Sequence, residues 1–352
     1  WNNNLHENRK AFEGTGDSEN KLTEQFYRSK NITTNLMVTY NTKIGKHSIG
    51  GLLGYAYEGF SEKQFSTSRL TEDSKYDIFV GDLSGDKVSN GGSASDWAIY
   101  SGFARATYNY DEKYLLEFNI RNDYSSYFAK GNRSGVFPSF SAGWRISEEK
   151  FWSVLKPYVP SLKIRGSWGT TGGQNFYPYQ AMMMFTYKDN MLDVKDENKI
   201  LSGQGYDGYI GALLKAYGNR DLKWQKTEKL NIGVDFTLLD NRLSGYFNYY
   251  KETSKSVLTD VLVAPSLGFS SYKDNLGQVE NKGIELNLKG TIIRNVNKGL
   301  QWDVFVSLVR NRNRLLKLSD ALVAWNKNQD EATVDKENKR PVVRYQEGQS
   351  IH

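Results

Sequence analysis

The side chains that could do chemistry are few and scattered. Three histidines, His6, His47 and His352, stand far apart, and cysteine is absent. No thiolate metal site or disulfide framework can form, and no histidine has a second beside it to build a catalytic or metal centre. Oxygen donors gather twice, as Asp82, Asp86 and Asn90 and as Asp189, Asp193, Asp196 and Glu197. Neither set follows the alternate-residue spacing and glycine of a calcium loop, so both read as solvated acidic loops and no metal is expected. Gly169-Thr170-Thr171-Gly172-Gly173 lacks the Gly-Lys-Ser/Thr ending that seats a phosphate, and reads as the start of a flexible loop. There is no nucleophile-elbow pattern and no carboxylate pair marked by spacing. The chain is therefore read as neither an enzyme nor a cofactor binder. What remains is a set of loop tyrosines, Tyr177, Tyr179, Tyr206 and Tyr209, whose flat rings could stack on a sugar or touch a peptide.

The elements that must position these groups announce themselves by two-residue alternation. Tyr114, Leu116, Phe118 and Ile120 fall on one side of an extended segment, with Glu117, Asn119 and Arg121 on the other, because successive strand side chains point oppositely. The same pattern occupies 140–146, 162–168, 230–238, 243–249, 284–292 and 302–308, and earlier 32–40, 47–57 and 98–110, for about ten strands. One row is apolar and includes Phe118, Ile120, Trp144, Ile164, Val234, Phe236, Leu286 and Val304. The opposite row carries Arg121, Arg145, Lys163, Arg165, Asp235 and Glu285. Such a pattern suits a soluble sandwich with the apolar row inward, or a membrane barrel with it facing lipid and the charged row facing a wet lumen.

Connection lengths favour the barrel. Tight links at 44–46, 111–113, 239–241 and 294–299 alternate with long polar stretches at 58–96, 124–135, 173–221, 251–274 and 312–341. Up-and-down connectivity then places tight turns on one rim and large loops on the other, as in outer-membrane barrels. One tight-rim link, 147–161, is longer and contains Phe151, Trp152, Val154 and Leu155, which predicts a short helical or packed turn. No apolar run approaches the roughly 20 residues of a membrane helix, which leaves barrel crossing open. With 46 Lys+Arg against 40 Asp+Glu, interspersed, the +6 net charge describes no nucleic-acid surface. The expected fold is all-β: part of a large antiparallel up-and-down transmembrane β-barrel.

The residues also carry a resemblance. Gly131-Asn132-Arg133-Ser134-Gly135-Val136-Phe137-Pro138-Ser139-Phe140-Ser141-Ala142-Gly143-Trp144-Arg145-Ile146-Ser147-Glu148-Glu149, then Leu162-Lys163-Ile164-Arg165-Gly166-Ser167-Trp168-Gly169, resemble recurring strands of the SusC/RagA-like TonB-dependent transporters of the Bacteroidetes outer membrane. Leu222-Lys223-Trp224-Gln225-Lys226-Thr227, Asn231 to Phe236, Asn241 to Gly245, Tyr249-Tyr250-Lys251 and Asn281 to Leu286 follow in similar order, and the match runs over about residues 30–315. The segment 121–128 departs from the family's usual pattern, a difference expected to touch only an outer loop.

The resemblance implies a barrel of about 22 strands, of which 1–352 would be a β-barrel segment. The plug domain, the N-terminal extension grasped by TonB and the closing C-terminal strands would lie outside this sequence. It implies TonB-dependent import of a nutrient, a glycan first and a peptide second, across the outer membrane of a Gram-negative bacterium. A SusD-like surface lipoprotein and the TonB complex are the implied partners, besides outer-membrane lipid, with no nucleic acid. The competing expectations are a soluble extracellular carbohydrate-binding β-sandwich and, last, a barrel hydrolase for which no nucleophile and base are visible.

Overall fold

The computed structural model describes residues 2–12, 20–71, 88–187, 212–263, 271–295, 299–320, 322–324, 326–327 and 345–350. Among them lie β1 (Asn2–Phe12), β2 (Asn20–Ile44), β3 (His47–Thr71), β4 (Val88–Tyr110), β5 (Tyr114–Ser125), β6 (Ser134–Arg145) and β7 (Ser161–Gly173). They are followed by β8 (Met184–Tyr187), β9 (Ala212–Ala216), β10 (Gln225–Leu238), β11 (Leu243–Leu262), β12 (Ser271–Asn295) and β13 (Leu300–Lys317). Eleven strands hydrogen-bond in sequence order, β1 to β7 and then β10 to β13, while β8 and β9 pair separately as a hairpin.

Backbone contacts divide the chain into two units. The first is Trp1–Leu36 with Tyr55–Ser101. In it β1 runs antiparallel to β2, from Asn2 opposite Asn31 to Phe12 opposite Lys21. Phe26 stacks on Phe65 with ring centroids 5.2 Å apart, Phe60 stacks on Trp97 at 5.8 Å, and the Tyr27 hydroxyl donates to Glu62 at 2.8 Å.

The second unit, Met37–Gly54 with Gly102–His352, holds the sheet from β5 onward. Through the middle of the strands its register carries one row from β5 to β13, with shifts toward the ends of the β11–β12 and β12–β13 pairs. Tyr114 faces Trp144, Trp144 faces Ile164, Ile164 faces Val234, Val234 faces Phe247, Phe247 faces Leu286 and Leu286 faces Leu308. Directly paired residues share a face, so this register gathers Phe118, Ile120, Trp144, Ile164, Val234, Phe236, Leu286 and Val304 on one side. Arg121, Arg145, Lys163, Arg165, Asp235 and Glu285 take the other side. Among the described residues the apolar side meets no second sheet: Leu116, Phe118, Phe140, Trp168, Ile232 and Leu308 are all exposed. A sandwich would have buried these rows against one another, so the soluble alternative is not supported.

Turn chemistry explains the tight rim. Gly45 sits at φ +58°, and Asp111 and Glu112 at +52° and +58°, the left-handed pair of a type I′ turn whose twist matches that of the strands it joins. Leu239, Asp240 and Asn241 are all left-handed, as is Gly299 at +60° just before β13. The longer link forms two short 3₁₀ turns, Ile146–Glu148 and Lys150–Val154, with the Trp152 indole donating to the Val159 carbonyl at 3.1 Å. This is the packed turn expected from its aromatic content.

The strands overrun their expected limits. Much of 58–96 and 251–274 is strand, as β3 reaches Thr71, β4 begins at Val88, β11 reaches Leu262 and β12 begins at Ser271. β1 and the β8–β9 hairpin were not expected at all. The extensions of β3, β4, β11 and β12 are mostly polar and show no apolar alternation, and backbone pairing to a neighbour holds them instead. In the β11 extension a bulge puts Ser256 at φ +55°. The Asn275 side chain clamps it, donating to the Ser256 and Lys223 carbonyls at 2.9 Å each and accepting from the Lys223 N–H at 2.7 Å.

Candidate functional site

Strand parity places a polar network in the middle of the charged face. Arg165 on β7 donates through Nε to both carboxylate oxygens of Asp235 on β10, at 3.0 and 3.2 Å, and through a terminal nitrogen to Asn231 at 3.4 Å. Its other terminal nitrogen donates to Asn248 on β11. The Asn248 amide in turn donates to Glu285 on β12 at 3.4 Å. Four strands are thereby linked by side chains in addition to their backbones. Gly143 and Gly233 flank Arg165 in its cross-strand row. A Cβ on Gly233 would strike the Arg165 guanidinium carbon and Asn248 Oδ1, so a glycine there lets the long side chain lie flat on the sheet. Beside it opens a hollow of about 480 Å³, bordered by Thr107, Glu117, Gly143, Lys163, Arg165 and Asn231.

Of the six expected charges on this face, the structure brings together Arg165, Asp235 and, through Asn248, Glu285, with Lys163 at their border. Arg121 lies at the long-loop end of β5, ion-paired to Asp123 at 2.6 Å with its guanidinium 5.6 Å from the centre of the Phe103 ring. Arg145 lies at the tight rim, 3.7 Å from Glu112. Asn231 and Asn248 were missed, since neutral amides carry no signal in a pattern read by charge.

The tight rim has its own polar anchors. The Tyr114 hydroxyl and the Trp144 indole both donate to Glu149 Oε1, at 2.6 and 3.2 Å, and Lys113 lies 3.5 Å from the same carboxylate. These bonds, the tyrosine's first, hold the Glu149 carboxyl below its ordinary range. Asp111 is lowered likewise, chiefly by its 3.0 Å hydrogen bond from Lys46.

At the opposite end an aromatic cluster fastens the loops. Phe128, Phe137, Phe176, Ala181, Leu222 and Trp224 are buried together. Phe176 meets Phe128 edge-on at 5.0 Å, Phe137 meets Trp224 edge-on at 5.5 Å, and the Trp224 indole donates to the Arg133 carbonyl at 3.0 Å. Segments 126–133, 174–183 and 218–224 thus form one packed platform. A Cβ on Gly172 would run into the Phe137 ring. Segment 121–128 therefore does more than vary an outer loop, because it supplies Phe128 to this core. Among the expected tyrosines, Tyr177 projects from the platform, 78% exposed, and Tyr179 sits in a turn at φ +71°. Tyr206 and Tyr209 lie outside the described residues, as do Asp82, Asp86, Asp189, Asp193, Asp196 and Glu197. Asn90 accepts a hydrogen bond from Thr67 at 2.8 Å.

The family model described as TonB dependent receptor-like, beta-barrel, matches residues 1–345. The chain belongs to this family. This receptor barrel is 29% identical over 306 residues to the TonB-dependent receptor P3 of Formosa agariphila, covering 85% of this chain and 29% of that one. It is 29% identical over 291 residues to the TonB-dependent receptor SusC of Bacteroides thetaiotaomicron, covering 82% of this chain and 27% of the relative. Among solved structures it is similar to the RagAB peptide transporter, with a TM-score of 0.72 and 26% identity, over 86% of this chain and 32% of that one. The receptor barrel thus spans less than a third of the length of these relatives. It is SusC/RagA-like among the TonB-dependent receptors, and it resides in the outer membrane of a Gram-negative bacterium.

Proposed function

We propose that the chain forms wall and outer loops of a transporter that imports an oligomeric polar nutrient, a glycan or a peptide, across the outer membrane. The observation that carries this reading is the segregation of the two faces. The row from Tyr114 to Leu308 would look toward lipid, and the face bearing Arg165, Asp235, Asn248 and Glu285 would line the wet passage. The platform at the long-loop end would border the extracellular mouth, with Tyr177 offered to cargo.

In this reading the remaining strands and the plug come from the rest of a longer protein. A SusD-like lipoprotein caps the mouth, and TonB supplies the energy through the plug. The chain itself carries out no reaction. A glycan is supported by the exposed flat Tyr177 ring, and a peptide by the likeness to a structure described as a peptide transporter. A deletion strain grown on single glycans or on peptides as sole nutrient tests both. Loss of growth on one class only, restored by the wild-type protein and not by Tyr177→Ala, is the expected outcome. Undiminished growth of the deletion strain on every candidate would exclude an importer of either class.

A further inference from the structure

Just beyond the apolar rows, on the same face and on the side away from the tight turns, the wall changes to cations. Lys251 on β11, Lys282 on β12 and Arg312 on β13 lie directly opposite one another across three adjacent strands. Arg310 pairs with Ile284 one step below this row, and Arg314 pairs with Glu280 one step above it. Strands spaced about 4.8 Å apart, with same-face residues about 7 Å apart along each strand, compress these five cations into a single patch.

Like charges directly opposite one another repel. The relief within the patch is one carboxylate, Glu280, which Lys251 reaches at 3.0 Å and Lys282 at 3.3 Å. The side chains of Arg310, Arg312 and Arg314 make no ion pair or hydrogen bond among the described residues, and all three are exposed. A surface of this kind suits an anion, and its position says which. Ile284, Leu286, Leu308 and Val306 descend directly from it, so a ligand seated here would hold its charge against the arginines and its apolar part against the rows below.

Resting on the lipid-facing reading above, we propose that this patch binds the phosphorylated headgroup of an outer-leaflet lipid, its acyl chains lying along β11 to β13. Arg310 and Arg312 grip phosphate oxygens through their forked donors, Lys282 adds a point charge, and Glu280 keeps the two lysines in place.

The test uses the full-length transporter incorporated into phosphatidylcholine nanodiscs carrying lipopolysaccharide, either intact or enzymatically dephosphorylated, with retained lipid counted by native mass spectrometry after release into detergent. Wild type should hold the intact form. The Lys282→Gln/Arg310→Gln/Arg312→Gln variant should hold it on the order of 100-fold more weakly, at roughly fivefold per cation removed. Wild type should hold the dephosphorylated form as poorly as the variant holds the intact one, an arm that needs no substitution. Equal retention of the two lipid forms by wild type, or of intact lipid by wild type and a folded variant, overturns the proposal. Failure of the lipid-facing reading looks different: wild type would then not enter the nanodiscs at all.

Discussion

The wall and the loop platform spend the same residue types in opposite ways. On the wall, Phe118, Phe140 and Trp168 stand side by side across three strands and are each 46% exposed. In the platform, Phe128, Phe137 and Trp224 touch ring to ring and are at most 8% exposed. The difference lies in what surrounds them. A strand fixes its aromatics on one face whether or not a protein partner covers that face, and the wall leaves the covering to its solvent. The platform is built mostly of loops packed on Phe137 at the end of β6, and with little ladder to hold them these segments take their shape by burying rings against one another.

That contrast can be broken experimentally, beginning where the effect is largest. Phe128→Ala and Trp224→Ala should each cost the platform about 3–5 kcal/mol through the cavity left behind, read as fast amide exchange in 126–133 and 218–224 while β10 and β11 stay protected. Equal loss of protection in the strands would show that wall and platform are one cooperative body. Val234→Arg and Leu286→Arg should each destabilise the wall by about 2–4 kcal/mol if they sit near the bilayer midplane, measured by denaturant unfolding in lipid vesicles. The platform should be indifferent to both, and wild-type stability of either variant would remove the lipid-facing reading.

Gly233→Ala sharpens the comparison on the polar face. The new methyl must displace Arg165 or Asn248, at a cost of about 1–3 kcal/mol as in an overpacked core, and Arg165→Ala in the same chain should recover part of the loss. Arg165→Ala alone should change stability by only about 0–1 kcal/mol, because the pair it forms with Asp235 is partly exposed.

The smallest effect is at the tight rim. Glu149 is lowered in the folded state, so its bonds to Tyr114 and Trp144 stabilise fully above its ordinary value of 4.5 and fade as pH falls through the lowered one. Glu149→Gln should therefore unfold earlier than wild type at pH 7, and the two midpoints should converge in acid.

Much of the wall was legible because its instructions are local. Each expected strand carries its own alternation, and Gly45 and Asp111 mark their turns by residues suited to positive φ, so the ten expected segments coincide with β2 to β7 and β10 to β13, Ile146 alone falling past a strand end into a 3₁₀ turn. Leu239 gave no such sign, being an uncommon residue for that backbone, and its turn was legible only from the strands on either side. The polar hub was half legible. Parity put Arg165, Asp235 and Glu285 on one face, but only the register reveals that Asn248 joins them and that Gly233 makes room. The platform was hardly legible, since Phe128, Phe176 and Trp224 come from three segments with no common period and meet only after the strands have brought their ends together.

The type I′ turn at Asp111-Glu112 has a reach far beyond its two residues. Because strands follow one another in chain order, it acts as a counter for everything downstream. One added amino acid there, if the pairing that follows shifted with it, would exchange Phe118 for Glu117 on the apolar face. Insertions at this bend should thus be far less tolerated in nature than insertions of many residues at the opposite end of the same hairpins.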